Sequence, residues 1–391
     1  MVSFLGTQVT QVALPYQIYQ QTHSPLAVGT LGLVQLVPLL TLAFVGGAFA
    51  DAHDRRALVL VTELAFATMS LLLLVNASAP QPALWMLYVV AGAQAGLGAL
   101  QRPSLDALLP RLVERDEMPA AVALFDLRGT VAMLLGPAIG GALIAVAGLP
   151  AAYGADLFSF LISLVLLWRM RAVPPPVGAE PPSLRRIREG LVYAGRRPEL
   201  MGTYIVDFVA MVFGMPSALF PALADHFGGP SVLGLLYAAP ALGAFLATAT
   251  SGWTQFVHRH GLAVTLAAIA WGVAIAGFGL ADTLVPALAL LSLAGAADAV
   301  SGIFRSVIWN QTIPDALRGR LASIELLSYS SGPQLGNVEA GLVASLFSVR
   351  ASVISGGVLC VVGCAACALL LPAFWRYDAR TSGNEVTGQP L

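Results

Sequence analysis

Few side chains in this sequence can do chemistry, and most of them sit where water is scarce. Asp126, Asp207, Asp298, Glu325 and Glu339 each fall inside a long apolar run, and so does Arg128. An ionisable group in such a run is costly to bury, and it marks a functional position by default: a carboxyl there takes up and releases a proton or meets a cation. Burial favours the neutral form of a carboxyl, whereas a nearby cation favours the charged form. On that ground Glu339, which is farther from arginine, ranks ahead of Asp298 as a proton carrier, with Asp207 and Glu325 as further candidates. Asp298 and Arg305 are seven residues apart, about two helical turns, and so share a face. Asp126 and Arg128 are two apart and do not face each other on a helix. Arg128 is therefore open to an anionic group of a cargo, and both residues read as substrate contacts. Gln8 and Gln11 share a face of the first run with Thr7, Gln35 lies in the second run and Gln94 in the fourth. These amides complete the candidate binding set. Glu63, close to a pair of arginines, reads as structural.

Bond-making chemistry is poorly served. The five histidines form no H-E-x-x-H or other ligand spacing, and no G-x-x-x-x-G-K-[ST] loop occurs because lysine is absent. Cys360, Cys364 and Cys367 share one face of an apolar run and read as small apolar filling. No metal and no cofactor is expected, and a membrane-embedded enzyme would lack both a nucleophile–base pair and a metal constellation. The net charge is -1 with no basic block, so nucleic acid is not an expected partner. The candidate residues suit binding, release and proton exchange.

The elements that must position them are membrane spans. Of the 391 residues 57% are hydrophobic and 10% charged, and the mean hydropathy is +0.79. A water-facing domain carries roughly 25% charged residues. Apolar runs fall near 1–20, 26–50, 57–76, 83–104, 119–148 and 150–169, then near 200–224, 231–254, 261–281, 284–306, 321–347 and 350–373. Each is long enough for a core of ~30 Å, which takes about 20 helical residues. The fold class predicted is an all-α membrane protein of about twelve spans in two bundles of six, residues 1–172 and 200–373. A linker at 173–199 joins them: a proline-rich spacer, then a surface helix capped by Ser183 with Arg185, Arg186 and Arg188 on one side. Residues 374–391 are expected to be a disordered tail. With the start inside, nearly every arginine falls on the cytoplasmic side, which predicts cytoplasmic termini. The chain enters its first span abruptly with no signal-peptide pattern, which suggests that a cytoplasmic tail is missing from the sequence.

A short charged turn stands between the second and third runs: Gly46, Gly47, Asp51, Asp54, Arg55 and Arg56. It resembles the loop between helices 2 and 3 of the major facilitator superfamily, written G-x-x-x-D-R-x-G-R-R, with Ala52 for the first arginine and Asp54 for the glycine. Gly136-Pro137-Ala138-Ile139-Gly140-Gly141 is similar to the fifth-helix motif of drug–proton antiporters in that superfamily. Its core recurs as Gly332-Pro333-Gln334-Leu335-Gly336, and Arg102 recurs as Arg305, at offsets of 196 and 203. Parallel six-span repeats are the internal symmetry of such transporters. Leu14-Pro15-Tyr16-Gln17-Ile18-Tyr19, Leu108-Leu109-Pro110-Arg111-Leu112-Val113 and Trp309-Asn310-Gln311-Thr312-Ile313-Pro314 resemble the enterobactin-exporter branch, which also holds macrolide and multidrug effluxers. The resemblance implies a proton-driven exporter of a siderophore-like metabolite or hydrophobic drug, working by alternating access in a bacterial plasma membrane. Its partners would be a small-molecule substrate, protons and the lipid bilayer, with no obligate protein partner. An importer of a small polar solute is the rival. In this scheme Gly46 and Gly47 let span 2 approach a neighbour closely, Asp51 faces the N-terminus of span 11, and Arg55 or Arg56 meets Asp106 at the foot of span 4. The Gly-Pro motifs bend spans 5 and 11.

Overall fold

Lipid offers no partners to backbone amides, so a chain this apolar must satisfy them within helices. The computed structural model describes residues 2–52, 54–114, 116–170 and 192–378, and for 44–52, 106, 107, 109–112, 315–320 and 322–327 it describes the backbone only. Among the described residues there is no strand. Span 1 is Val2–Thr22, span 2 Pro25–Ala52, span 3 Arg55–Ser78 and span 4 Leu84–Leu112. A helix of 51 residues, Met118–Trp168, follows. At 1.5 Å per residue it measures about 77 Å, too long for one crossing. It breaks at Gly148, whose φ of 80° and ψ of 177° favour a residue without Cβ. Residues 118–147 are span 5 and 149–168 are span 6. Span 7 is Pro198–Gly214, prolonged by the turn Ser217–Leu219 and the helix Phe220–Phe227. Span 8 is Pro230–Ala249, span 9 His260–Leu280, span 10 Leu284–Thr312, span 11 Asp315–Leu346 and span 12 Val349–Leu370.

Nine helical segments among the described residues are long and apolar enough to cross a membrane, with Met118–Trp168 taken as one. Spans 1 and 11 fall outside that set. They are rich in polar side chains, and they carry Gln8, Gln11 and Glu339.

The chain divides into two compact units, Met1–Pro182 with Phe220–Ala238, and Ser183–Leu219 with Ala239–Leu391. In the first unit span 1 packs on the Met118–Trp168 helix, span 2 on span 4, and span 3 on span 4 and on Met118–Trp168. The close approach of spans 1 and 5 depends on Gly136 and Gly140. A Cβ on Gly140 would stand 3.2 Å from Val9 Cα, and one on Gly136 would run into Gln8. Gly141 meets Gly234 backbone to backbone, with Gly234 N and Pro230 O both 2.7 Å from where its Cβ would be. Small residues that admit such contacts are the usual basis of helix association in lipid.

The second unit repeats the device. A Cβ on Gly332 would lie 2.9 Å from Met211 Cβ, and one on Gly336 would lie 3.0 Å from Met215 Cβ and from Val212 O. Span 11 thus seats on span 7 through the glycines that match those seating span 5 on span 1. Both helices continue through Pro137 and Pro333, and within Met118–Trp168 the one residue with non-helical dihedrals is Gly148. After span 12 the chain turns into a one-turn helix, Pro372–Trp375, whose Phe374 is fully buried against Gly202 and Gly261. Tyr377 then donates to Gln311 Oε1 at 3.3 Å, so the first residues of the expected tail are packed. Of the expected linker, the proline-rich spacer and the Ser183 cap lie outside the described residues, and 192–195 are helical.

Candidate functional site

In the second unit the chemistry gathers on Arg305. The spacing of Asp298 and Arg305 along span 10 puts them on one face, and Arg305 Nη2 reaches Asp298 Oδ1 at 3.5 Å. The other guanidinium nitrogen, Nη1, pairs with Asp207 of span 7. Asp207 and Arg305 are both buried, whereas the Asp298 side chain is 43% exposed. One cation therefore serves two carboxyls, one enclosed and one open. Beside the group, Trp309 Nε1 donates to Thr203 Oγ1 at 2.9 Å and the Trp309 ring stacks on Tyr204 at 5.8 Å. Glu339 is half-buried on span 11 and forms no ion pair among the described residues. Two residues earlier, Asn337 Oδ1 accepts from Ser217 Oγ at 2.6 Å and from Ala218 N at 3.0 Å, tying span 11 to the end of span 7. The Glu325 side chain lies outside the described set.

In the first unit Gln8 is buried, Gln35 and Gln94 are half-buried and Gln11 is exposed. None of the four amides makes a hydrogen bond among the described residues, so their donors and acceptors stay available. The structure does not join them to one another. Arg128 lies over Phe125, 4.1 Å from the ring centroid, with Phe4 at 5.7 Å. Asp126 is exposed and forms no ion pair among the described residues.

Between spans 2 and 3, Asp54 caps span 3: its Oδ1 accepts from Ala57 N at 2.9 Å. This accounts for the acid standing where the resembled motif has glycine. Arg56 donates from Nε to Leu167 O at 3.0 Å and from Nη2 to Trp168 O at 2.6 Å. It therefore answers the partly negative C-terminus of span 6, whereas the sequence pointed it or Arg55 toward Asp106. Arg55 is buried. For Gly46, Gly47, Asp51 and Asp106 the structure describes the backbone only.

Residues 1–390 of the chain match the family described as transmembrane secretion effector. The chain belongs to that family. The chain is 28% identical over 364 residues, 93% of its length, to the enterobactin exporter EntS of Shigella boydii serotype 18, covering 88% of that protein. The enterobactin exporter EntS of Escherichia coli O1:K1 stands at the same identity and coverage. Among solved structures it resembles a POT family transporter (TM-score 0.74, 12% identity, 95% of each chain). It also resembles a bacterial homologue of the iron transporter ferroportin in an inward-facing state (TM-score 0.70, 15% identity, 96% of each chain). At such identities these likenesses speak for the fold alone, and the fold is that of the major facilitator superfamily: a multi-pass membrane protein of a transporter family.

Sequence reasoning passed over one acid of this chain. Asp156, in span 6, is missing from the set of in-span carboxyls, yet it is wholly buried and accepts from Thr10 Oγ1 at 2.6 Å and Ser70 Oγ at 2.7 Å. The signal was an acid in the middle of the apolar run 150–169. Glu63, read as structural, accepts from Gln101 Nε2 at 3.3 Å and Ser3 Oγ at 3.4 Å.

Proposed function

We propose that this protein is a secondary exporter that moves a small amphipathic molecule out of a bacterial cell in exchange for protons, by alternating access. The plasma membrane is its place, both ends of the chain face the cytoplasm, and it is not an enzyme. The cargo class is a catecholate siderophore or a compound of similar size and amphipathy. The observation that carries the reading is the match to enterobactin exporters along nearly the whole chain. The unengaged amides of Gln8, Gln11, Gln35 and Gln94, with Arg128 to draw an anionic oxygen, suit such a cargo. Arg305 held between Asp207 and Asp298 supports proton exchange. Two carboxyls that share one guanidinium leave one negative charge over, which a proton neutralises in a setting where unpaired charge is expensive. Glu339, free of arginine, is the further candidate carrier, with Glu325 behind it. Asp51, Arg55 and Asp106 hold the cytoplasmic side shut in one state, with Gly46 and Gly47 admitting the close approach of span 2.

The experiment is secretion. The chain is expressed in a bacterium that makes enterobactin but lacks its exporter, and enterobactin is measured in the medium. Restored secretion is expected. Unchanged retention at good expression, together with protection against a macrolide, would move the cargo to the drug class. The absence of both effects would overturn export.

A further inference from the structure

Three spans of the first unit carry polar side chains at the same interval. Ser3 and Thr10 on span 1, Glu63 and Ser70 on span 3, and Asp156 and Ser163 on span 6 are each seven residues apart. Seven residues are about two turns and about 10 Å, so each pair lies on one face. The faces meet in two rungs. In one, Asp156 is held by Thr10 and Ser70. In the other, Glu63 is held by Ser3, with Gln101 of span 4 added and Ser163 of span 6 beside it. Each rung has one carboxyl and hydroxyls from the two other spans.

We infer that the first unit carries a proton-binding site of its own, formed by Asp156 and Glu63 and separate from the arginine-linked acids of the second unit. Three observations converge. First, Asp156 is 0% exposed and Glu63 is 5% exposed, and neither forms an ion pair with an arginine or histidine among the described residues. Second, Asp156 Oδ1 and Glu63 Oε2 are both buried, and neither has a partner within hydrogen-bonding geometry, the Ser163 hydroxyl lying beside Glu63 without a formed bond. A dry carboxylate with a bare oxygen is costly, while a neutral acid costs far less. Third, the hydroxyl geometry around Asp156 accommodates an extra proton. Ser70 Oγ lies 2.7 Å from Asp156 Oδ2 and 3.1 Å from Phe66 O, and one hydroxyl proton cannot serve both. With a proton on Oδ2, that oxygen donates to Ser70 Oγ, Ser70 donates to Phe66 O, and Thr10 donates to Oδ2. Among the described residues, the titratable groups that act on the pair are the two acids themselves and Tyr153 beside Asp156.

The site's use rests on the proton-antiport reading. Thr10 is next to Gln11 and two residues from Gln8, so span 1 joins the Asp156 rung to the candidate cargo amides. Loss of the proton leaves an unpaired charge in a dry contact between spans 1, 3 and 6. The acid can therefore release it only when those spans part enough to admit water, and movement of span 1 links that release to cargo.

The test is infrared spectroscopy of the purified full chain in D2O at neutral pD, with Asp156→Asn and Glu63→Gln. Asparagine keeps the shape, and with its amide oxygen in the place of Oδ2 it accepts from both Thr10 and Ser70, so the bundle should still fold. The expected result is a carboxylic-acid C=O band in the wild type that loses its aspartate part in D156N and its glutamate part in E63Q. Thr10→Val, which keeps the acid and removes one donor, should shift the aspartate part. Spectra of all three variants that superpose on the wild type would overturn the inference. Vesicle flux separates this from the broader reading: enterobactin flux in wild-type vesicles that ignores a pH gradient counts against antiport, and the infrared difference still decides whether these acids hold protons.

Discussion

Arg305 of span 10 is ion-paired with Asp207 of span 7, both side chains being buried, and the same guanidinium reaches Asp298. Removing one partner of a buried pair leaves the other charge uncompensated, which costs about 3–5 kcal/mol. Arg305→Gln should therefore lower the melting temperature of the detergent-purified protein sharply, because it strands two acids. Arg305→Gln with Asp207→Asn should recover most of the loss. A single variant as stable as the wild type, or a double variant no better than the single, contradicts this account of the cluster.

The paired glycines give a graded prediction. A methyl group on Gly336 would press on the Met211 carbonyl and on Met215, whereas one on Gly140 meets Val9 at 3.2 Å. Overpacking costs roughly 1–3 kcal/mol, so Gly336→Ala should melt lower than Gly140→Ala, and both below the wild type. Melting curves in one detergent check the order. A Gly336→Ala protein as stable as the wild type would show that span 11 does not need this contact.

The arginine turn separates structure from gating. Arg56 caps two carbonyls at the end of span 6, and an interaction of a cation with a helix C-terminus is worth about 0.3–1 kcal/mol. Arg56→Ala should lower thermal stability slightly. Asp51→Asn should leave stability unchanged and reduce enterobactin flux about tenfold, since a bias of ~1.4 kcal/mol changes a two-state ratio tenfold. Wild-type flux through Asp51→Asn at equal expression removes Asp51 from the gate.

Much of this architecture is legible in the sequence because lipid constrains it so strongly. The runs near 119–148 and 150–169 become the two arms of Met118–Trp168, and the boundary falls on Gly148, a residue type that marks backbone freedom. The Gly-Pro repeat is also legible, and its glycines seat span 5 on span 1 and span 11 on span 7. Asp298 and Arg305 meet because seven residues make about two turns of one helix. Partners from other spans are not written in any local pattern. Asp207 lies 98 residues before Arg305, and nothing in its neighbourhood points to span 10. Charge suggests charge, so the sequence offered Arg55 or Arg56 to Asp106; of the two, Arg56 is taken up by backbone carbonyls at a helix end. The hydroxyls at 3, 10, 70 and 163 carry no signal alone, since serine and threonine are ordinary in spans; they become a site only once three helix faces are known to converge.

The most direct measurement is enterobactin accumulation in inside-out membrane vesicles containing the protein, with the lumen made acidic. Proton-driven export predicts uptake into the lumen that disappears when an ionophore collapses the pH gradient. It also predicts that Glu339→Gln or Asp298→Asn, at wild-type expression, loses most of that gradient dependence. Accumulation that proceeds equally with and without the gradient would contradict proton coupling, and full dependence retained by both variants would contradict their role as carriers.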